Sequence, residues 1–314
     1  MSCGRAGSQI QNVFGEDNRE RVNTRDYPFS ALGKLDNSCT GVLIGKRLML
    51  TAAHCVFDSA TQKPRDNFTR FDLGLLNGQV SASSEPIRAW IGSVQPEETR
   101  STDWAIVELA DELGVSSKVM SVSAIDFAKT LPYAVNLAGY NSDVNAGLTA
   151  SVHWGCAIHK VVDSKLFHDC DSTAGISGGP LFASIDGDWR IVGVSVSEFR
   201  NGIEPPVKRD SWSSEYTNVA VSGHEFIPVA QKLLESVDQK RIAPDLNDAI
   251  VIDFKSRSTV VGPKPEREQE PAHKPDNAPH QQPGPQPGQQ PELLQTPIAQ
   301  SSPDILYAAS QMQQ

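Results

Sequence analysis

Between about residues 22 and 237 the chain is cut into short apolar stretches, at 41–44, 48–50, 105–109, 134–138 and 191–196. Clusters of Gly, Asn, Asp and Ser separate them. Such regular punctuation predicts an all-β sandwich or barrel rather than strands alternating with helices. Asp186-Gly187-Asp188 lies between the strand-like runs 180–185 and 189–196, and Asp-Gly in that setting predicts a hairpin. One helix is expected near 222–236, where Phe226, Val229, Ala230, Leu233 and Leu234 recur at three- and four-residue intervals. Ser222 is its candidate N-cap, with Glu225 completing a capping box, and Pro228 requires the regular helix to begin close to it.

After about Asp238 the composition changes. Eleven prolines fall between Pro263 and Pro303, interleaved with Gln, Glu, Lys and His. Such a segment buries too little apolar surface to offset its ordering entropy, so a disordered or polyproline-like tail is expected over 239–314. A passive linker is expected there, although spacings such as Pro283-Gly284-Pro285-Gln286-Pro287 also suit an SH3-like groove. Residues 305–312 are expected to fray like other termini. This gives an extension over 1–20, a β domain over 21–238, and the tail.

The formal net charge of −10 leaves no excess of Lys and Arg to neutralise phosphates, so nucleic acid is not an expected partner. No apolar run is long enough to span a membrane. Residues 1–10 are Gly/Ser-rich and lack the apolar core of a signal peptide.

Acyl transfer at a peptide bond needs a nucleophile, a base, a group that orients the base, and donors for the oxyanion. Three segments offer these. Thr51-Ala52-Ala53-His54-Cys55 puts a histidine just after a buried strand, where small residues allow close packing, and a Cys39–Cys55 bridge would pin that loop to its neighbour. Ser101-Thr102-Asp103-Trp104 sets a carboxylate at the head of an apolar strand, able to accept an imidazole N–H. Asp171-Ser172-Thr173-Ala174-Gly175-Ile176-Ser177-Gly178-Gly179-Pro180 has glycines on both sides of a serine. They permit a tight turn that exposes its hydroxyl and aims the N–H groups of Gly175 and Ser177 at one spot. Each segment alone has an ordinary reading: a core or surface His, a strand-starting Asp, a Gly/Ser loop.

Together, in residue type, order and spacing, the segments resemble the trypsin-like serine peptidases of the chymotrypsin clan. The bacterial members related to glutamyl endopeptidases are the most similar. Val13-Phe14-Gly15-Glu16-Asp17-Asn18-Arg19 and Tyr27-Pro28-Phe29-Ser30 are similar to their mature start, and Tyr216-Thr217-Asn218-Val219 resembles the trypsin Tyr-Thr-x-Val. The resemblance covers about residues 13–237. It implies two packed antiparallel six-stranded β-barrels, chymotrypsin-like, with the triad at their junction and a C-terminal helix. It implies His54 as general base, Asp103 as its orienting partner, Ser177 as nucleophile, and Gly175 and Ser177 N–H groups as oxyanion hole. No metal or cofactor is required. The expected product is a monomeric endopeptidase acting on protein or peptide.

The chain departs from the pattern at Ile176, where trypsins carry the Asp that pairs with a new N-terminus, so the oxyanion turn must be ordered another way. Asp171 stands where trypsins place the carboxylate that binds substrate Arg or Lys. With Ser172 it either faces the pocket and favours basic P1 residues or belongs to the loop beside Cys170. The pocket wall is expected from residues 194–197, Ser195 and Ser197 included; glutamyl endopeptidases use a histidine there, so strict Glu preference is not expected. Cys156 and Cys170 are expected as a second bridge, against a zinc reading with His159 and His168. Two bridges point to a secreted or periplasmic protein, with Cys3 left over. His153, His224, His273 and His280 read as ordinary polar positions, and a non-catalytic binding protein on the same fold is the competing function.

Overall fold

The computed structural model describes residues 11–115, 119–200, 211–237 and 250–261. Strands dominate, and the two α-helices among these residues are Pro96–Thr99 and Gly223–Ser236. The second half of the domain is a closed barrel of six strands: Tyr133–Gly139, Ser151–Val162, Lys165–His168, Tyr216–Ser222, Asp188–Arg200 and Pro180–Ile185, each hydrogen-bonded to the next and the last to the first. The hairpin at Asp186-Gly187 is present. Ile185 faces Asp188, and both turn residues have positive φ, 54° and 83°, as a two-residue hairpin of matching twist demands.

The first half differs from the expected second closed barrel. Its strands run in the order Ser258–Val261, Ile250–Asp253, Pro86–Ile91, Ala105–Leu109, Leu48–Thr51, Thr40–Leu43, Leu32–Leu35, Phe71–Leu73, Ala82–Ser84, a nine-stranded sheet that curls without closing. The reason is edge occupancy. Pro86–Ile91 pairs with Ala105–Leu109 on one side and with Ile250–Asp253 on the other, so no edge remains for closure. Strands of this sheet thus lie beyond the boundary expected at 238. Residues 250–261 form a hairpin whose Ile252 is fully buried and whose Phe254 packs edge-on against Phe68 at 5.5 Å. Arg257 ties its turn to the Pro64 carbonyl at 2.7 Å and pairs with Asp66. Residues 262–314, residues 1–10 with Cys3, and the expected ordinary positions His273 and His280 lie outside the described residues.

Gly223–Ser236 buries Phe226, Ala230 and Leu233, spaced as the periodicity predicts. Ser222 is the N-cap, but its Oγ accepts the His224 N–H at 3.5 Å instead of that of Glu225. The two halves meet along a seam marked by Thr40. Its N–H donates to the Ser177 carbonyl (2.9 Å), its hydroxyl donates to the Gly175 carbonyl (2.8 Å), and the same hydroxyl accepts the Tyr140 N–H (2.9 Å). Tyr140 in turn donates from its buried phenol to the Leu75 carbonyl at 3.1 Å.

Candidate active site

Strand Leu48–Thr51 delivers His54 to the seam through the 3-10 turn Ala53–Cys55. That turn is fixed at three points: the Cys39–Cys55 disulfide, the Thr51 hydroxyl on the Thr40 carbonyl (2.8 Å), and Arg65 Nε on the His54 carbonyl (2.5 Å). Asp103, just before Ala105–Leu109, has a fully buried side chain. Its Oδ1 accepts the His54 backbone N–H at 2.9 Å and its Oδ2 lies 2.7 Å from His54 Nδ1. An ionised carboxylate only accepts, so Nδ1 carries the proton and Nε2 presents a lone pair. The imidazole is thus held by its Nδ1 edge and stays one-fifth exposed.

Ser177 sits on a turn that only glycine-flanked backbone can make. Gly175 and Gly178 have φ of +98° and +86°, and a Cβ on either would collide with the Tyr140 or Thr40 carbonyl oxygen. The Ser177 carbonyl lies 3.8 Å from Cys55 Sγ, one residue past His54, so the serine turn packs against the histidine turn. Among the described residues, the Ser177 and Gly175 N–H groups have no protein acceptor. The N–H groups of Ile176, Gly178 and Gly179 between and beyond them are all committed. Two such donors one residue apart lie on the same turn as the half-buried Ser177.

A cavity of about 240 Å3 opens beside Ser177, lined by Ser172, Thr173, Ala174, Ile176, Ser195, Ser197, Glu198 and Asn218. Three of the expected pocket residues, Ser172, Ser195 and Ser197, are therefore brought together. Asp171 is not. Its side chain is fully buried, its Oδ1 and Oδ2 accept the backbone N–H groups of Phe14 (2.8 Å) and Asn18 (2.9 Å), and His153 Nδ1 lies 3.3 Å away. Of the two readings open for this residue, the loop role is the one the geometry fits. Burial raises its pKa, and the two N–H donors oppose that rise. Nor is His153 an ordinary polar position: it is largely buried, and its Nδ1 accepts the Asp171 N–H at 2.8 Å.

A trypsin-like peptidase domain matches residues 39–194, a stretch that contains His54, Asp103 and Ser177. This stretch is a trypsin-like peptidase domain. Glutamyl endopeptidase of Bacillus licheniformis is 29% identical over 193 residues, covering 58% of each chain. Serine protease 23 of Homo sapiens is 28% identical over 208 residues, covering 58% of this chain and 53% of its own length. The chain thus spans somewhat over half the length of these curated relatives. Among solved structures, a Glu endopeptidase in complex with MPD superposes with a TM-score of 0.56 at 20% identity, over 70% of this chain and 99% of that one, a likeness of fold.

Within this trypsin-like fold Cys156 and Cys170 form a second disulfide, which removes both thiolates from the zinc reading. His159 instead bonds Asp169 at 2.8 Å and stacks on Trp212 at 4.2 Å. His224 Nε2 lies 3.1 Å from the Ile125 carbonyl. Sequence reading missed Thr40, Arg19, Asn141 and Asp143. Arg19 is 3% exposed and bridges Asp17 and Asp143. Burial alone would lower its pKa, but the hydrogen bonds it donates to both carboxylates hold it above its ordinary value. No described helix is long and apolar enough to cross a membrane.

Proposed function

We propose that this chain is a serine endopeptidase in which His54, Asp103 and Ser177 act as a catalytic triad. The observation that supports the reading is the pairing of His54 Nδ1 with the buried Asp103 carboxylate at 2.7 Å, on a turn that packs against the Ser177 turn. His54 takes the Ser177 hydroxyl proton as Oγ attacks the scissile carbonyl, and the oxyanion is received by the Gly175 and Ser177 N–H groups. The imidazolium then gives its proton to the leaving amine as the C–N bond breaks, leaving an acyl-enzyme. Water repeats the sequence: His54 accepts its proton, hydroxide adds to the ester, and the acid departs as Ser177 regains its hydrogen.

A preference for basic P1 residues rests on Glu198, the carboxylate among the pocket-lining residues, and not on Asp171. The two disulfides suit an oxidising compartment, so a secreted or periplasmic location is proposed. A fluorophosphonate probe should label the wild-type protein and not Ser177→Ala. Absence of labelling and of peptide cleavage in the wild type would favour the non-catalytic alternative. Cleavage of a random peptide library reads P1, and an Arg/Lys preference surviving Glu198→Gln would remove that residue from the pocket's role.

A further inference from the structure

Trypsin-like turns ordered by a charge pair need a carboxylate at the position Ile176 occupies, and Ile176 here is an apolar residue of the second-barrel core. What borders the pocket instead is the segment from residue 11 to 21. Gln11–Asn12 pairs antiparallel with Ser172–Thr173, and Arg19–Arg21 pairs with residues 151–153. Between these anchors, Phe14 and Asn18 donate their N–H groups to the two oxygens of Asp171. Asn12 donates to the Thr217 carbonyl at 3.4 Å, and Asn218 Nδ2 donates to the Asn12 carbonyl at 3.3 Å. The segment therefore touches two of the three strands whose residues line the cavity, through Ser172 and Thr173 on one side and Asn218 on the other.

Arg19 closes this arrangement. Its Nη1 and Nη2 donate to Asp143 at 2.9 and 2.7 Å, its Nε and Nη2 donate to Asp17 at 2.8 and 2.7 Å, and Nη1 reaches the Thr173 hydroxyl at 3.3 Å. The Thr173 hydroxyl donates to Asp143 at 2.6 Å, and its N–H donates to Asn141 Oδ1 at 2.8 Å. Next to these, the Ser142 N–H holds the Ala174 carbonyl at 2.7 Å. Only a planar guanidinium can serve two carboxylates and a hydroxyl at once in fixed directions.

We propose, resting on the peptidase reading above, that Arg19 is a positioning residue. Acting through Asp143 and Thr173, it sets the wall of the specificity pocket, while Asp171 anchors the strap that carries it. The strap touches no reacting atom. Without the guanidinium, Asp17 and Asp143 face each other unneutralised, and the Thr173 hydroxyl loses its donor while its own acceptor, Asp143, is no longer held in place.

The test compares wild type, Arg19→Ala, Arg19→Lys and Asp143→Asn on two peptides that differ only at P1, one with the preferred side chain and one with Gly. In Arg19→Ala the ratio of kcat/KM between the peptides is expected to fall about tenfold or more, mainly through KM. Arg19→Lys, with charge but no planar array, should recover part of the loss, and Asp143→Asn should reproduce it with little change in size. An unchanged ratio in all three variants would overturn the proposal, because a purely structural role lowers both peptides alike. Amide exchange supplies a readout independent of turnover. Residues 172–176 should exchange faster in Arg19→Ala while Leu48–Thr51 keeps its wild-type rate; equal exchange at 172–176 would also overturn it. If wild type takes no fluorophosphonate, the peptidase reading falls by itself, and amide exchange still decides whether Arg19 holds this wall.

Discussion

His54 has Nδ1 committed to Asp103, and the proposed mechanism rests on its other ring nitrogen, which concentrates the proposed chemistry in very few atoms. Asp103→Asn offers an amide where a carboxylate was needed, so kcat should fall about 10⁴-fold while the fold persists, as steady-state kinetics with circular dichroism would show. Ser177→Ala and His54→Ala should each cost about 10⁶-fold, and the double variant hardly more, because the groups act as a unit. Gly175→Ala needs an L residue at φ +98° against the Tyr140 carbonyl, so probe labelling should collapse even with the triad intact. What could be read at this scale was whatever is local. The His, Asp and Ser segments each carry their meaning in a few consecutive residues. Arg19 and Asp143 are 124 positions apart, and only the folded chain brings them together. Asp171 misleads for the same reason: its neighbours in sequence suit a pocket floor, whereas its partners, Phe14 and Asn18, are far upstream.

At the scale of elements, two attachments support the site from outside it. The Cys39–Cys55 bridge closes a loop of 16 residues around the His54 turn. Replacing both cysteines by Ser should lower unfolding free energy by about 3 kcal/mol, measured by urea denaturation at equal slope. The hairpin 250–261 covers the edge of Pro86–Ile91, and its fully buried Ile252 is the side chain through which to test it. Ile252→Ala should cost about 2–5 kcal/mol; a loss under about 0.5 kcal/mol would show that the hairpin is not part of the core. Apolar runs and the Asp-Gly signal announced the strands near 41–44, 48–50, 105–109, 134–138, 180–185 and 189–196 because such signals are local. The hairpin escaped notice because it adjoins a proline-rich tract, and its value lies in completing a sheet edge formed more than 150 residues earlier.

For the whole molecule, acid stability turns on a histidine that takes no part in the chemistry. His168 is fully buried between Ser151–Val162 and Tyr216–Ser222, and its Nε2 has no hydrogen-bond partner. Burial drives its pKa from 6.5 down to about 3; Asp169 opposes the shift, and His153 and His159 add to it. The unfolded chain therefore takes up a proton near 6.5 that the folded chain refuses until about 3. Stability from this group is full above 6.5 and is lost as pH falls towards 3, at up to about 1.4 kcal/mol per pH unit. In His168→Asn, the denaturation midpoint should fall less steeply between about pH 6 and pH 4 than in wild type. An equal slope would assign acid sensitivity to other groups.

Thr40 has one further consequence. A single short side chain and its own amide connect the curled sheet to the Gly175 and Ser177 carbonyls, so sliding of one half past the other is transmitted directly to the loop that carries Ser177. Mechanical looseness and chemical silence become the same event: a perturbant that shears the seam should extinguish turnover while each half still keeps its strands paired.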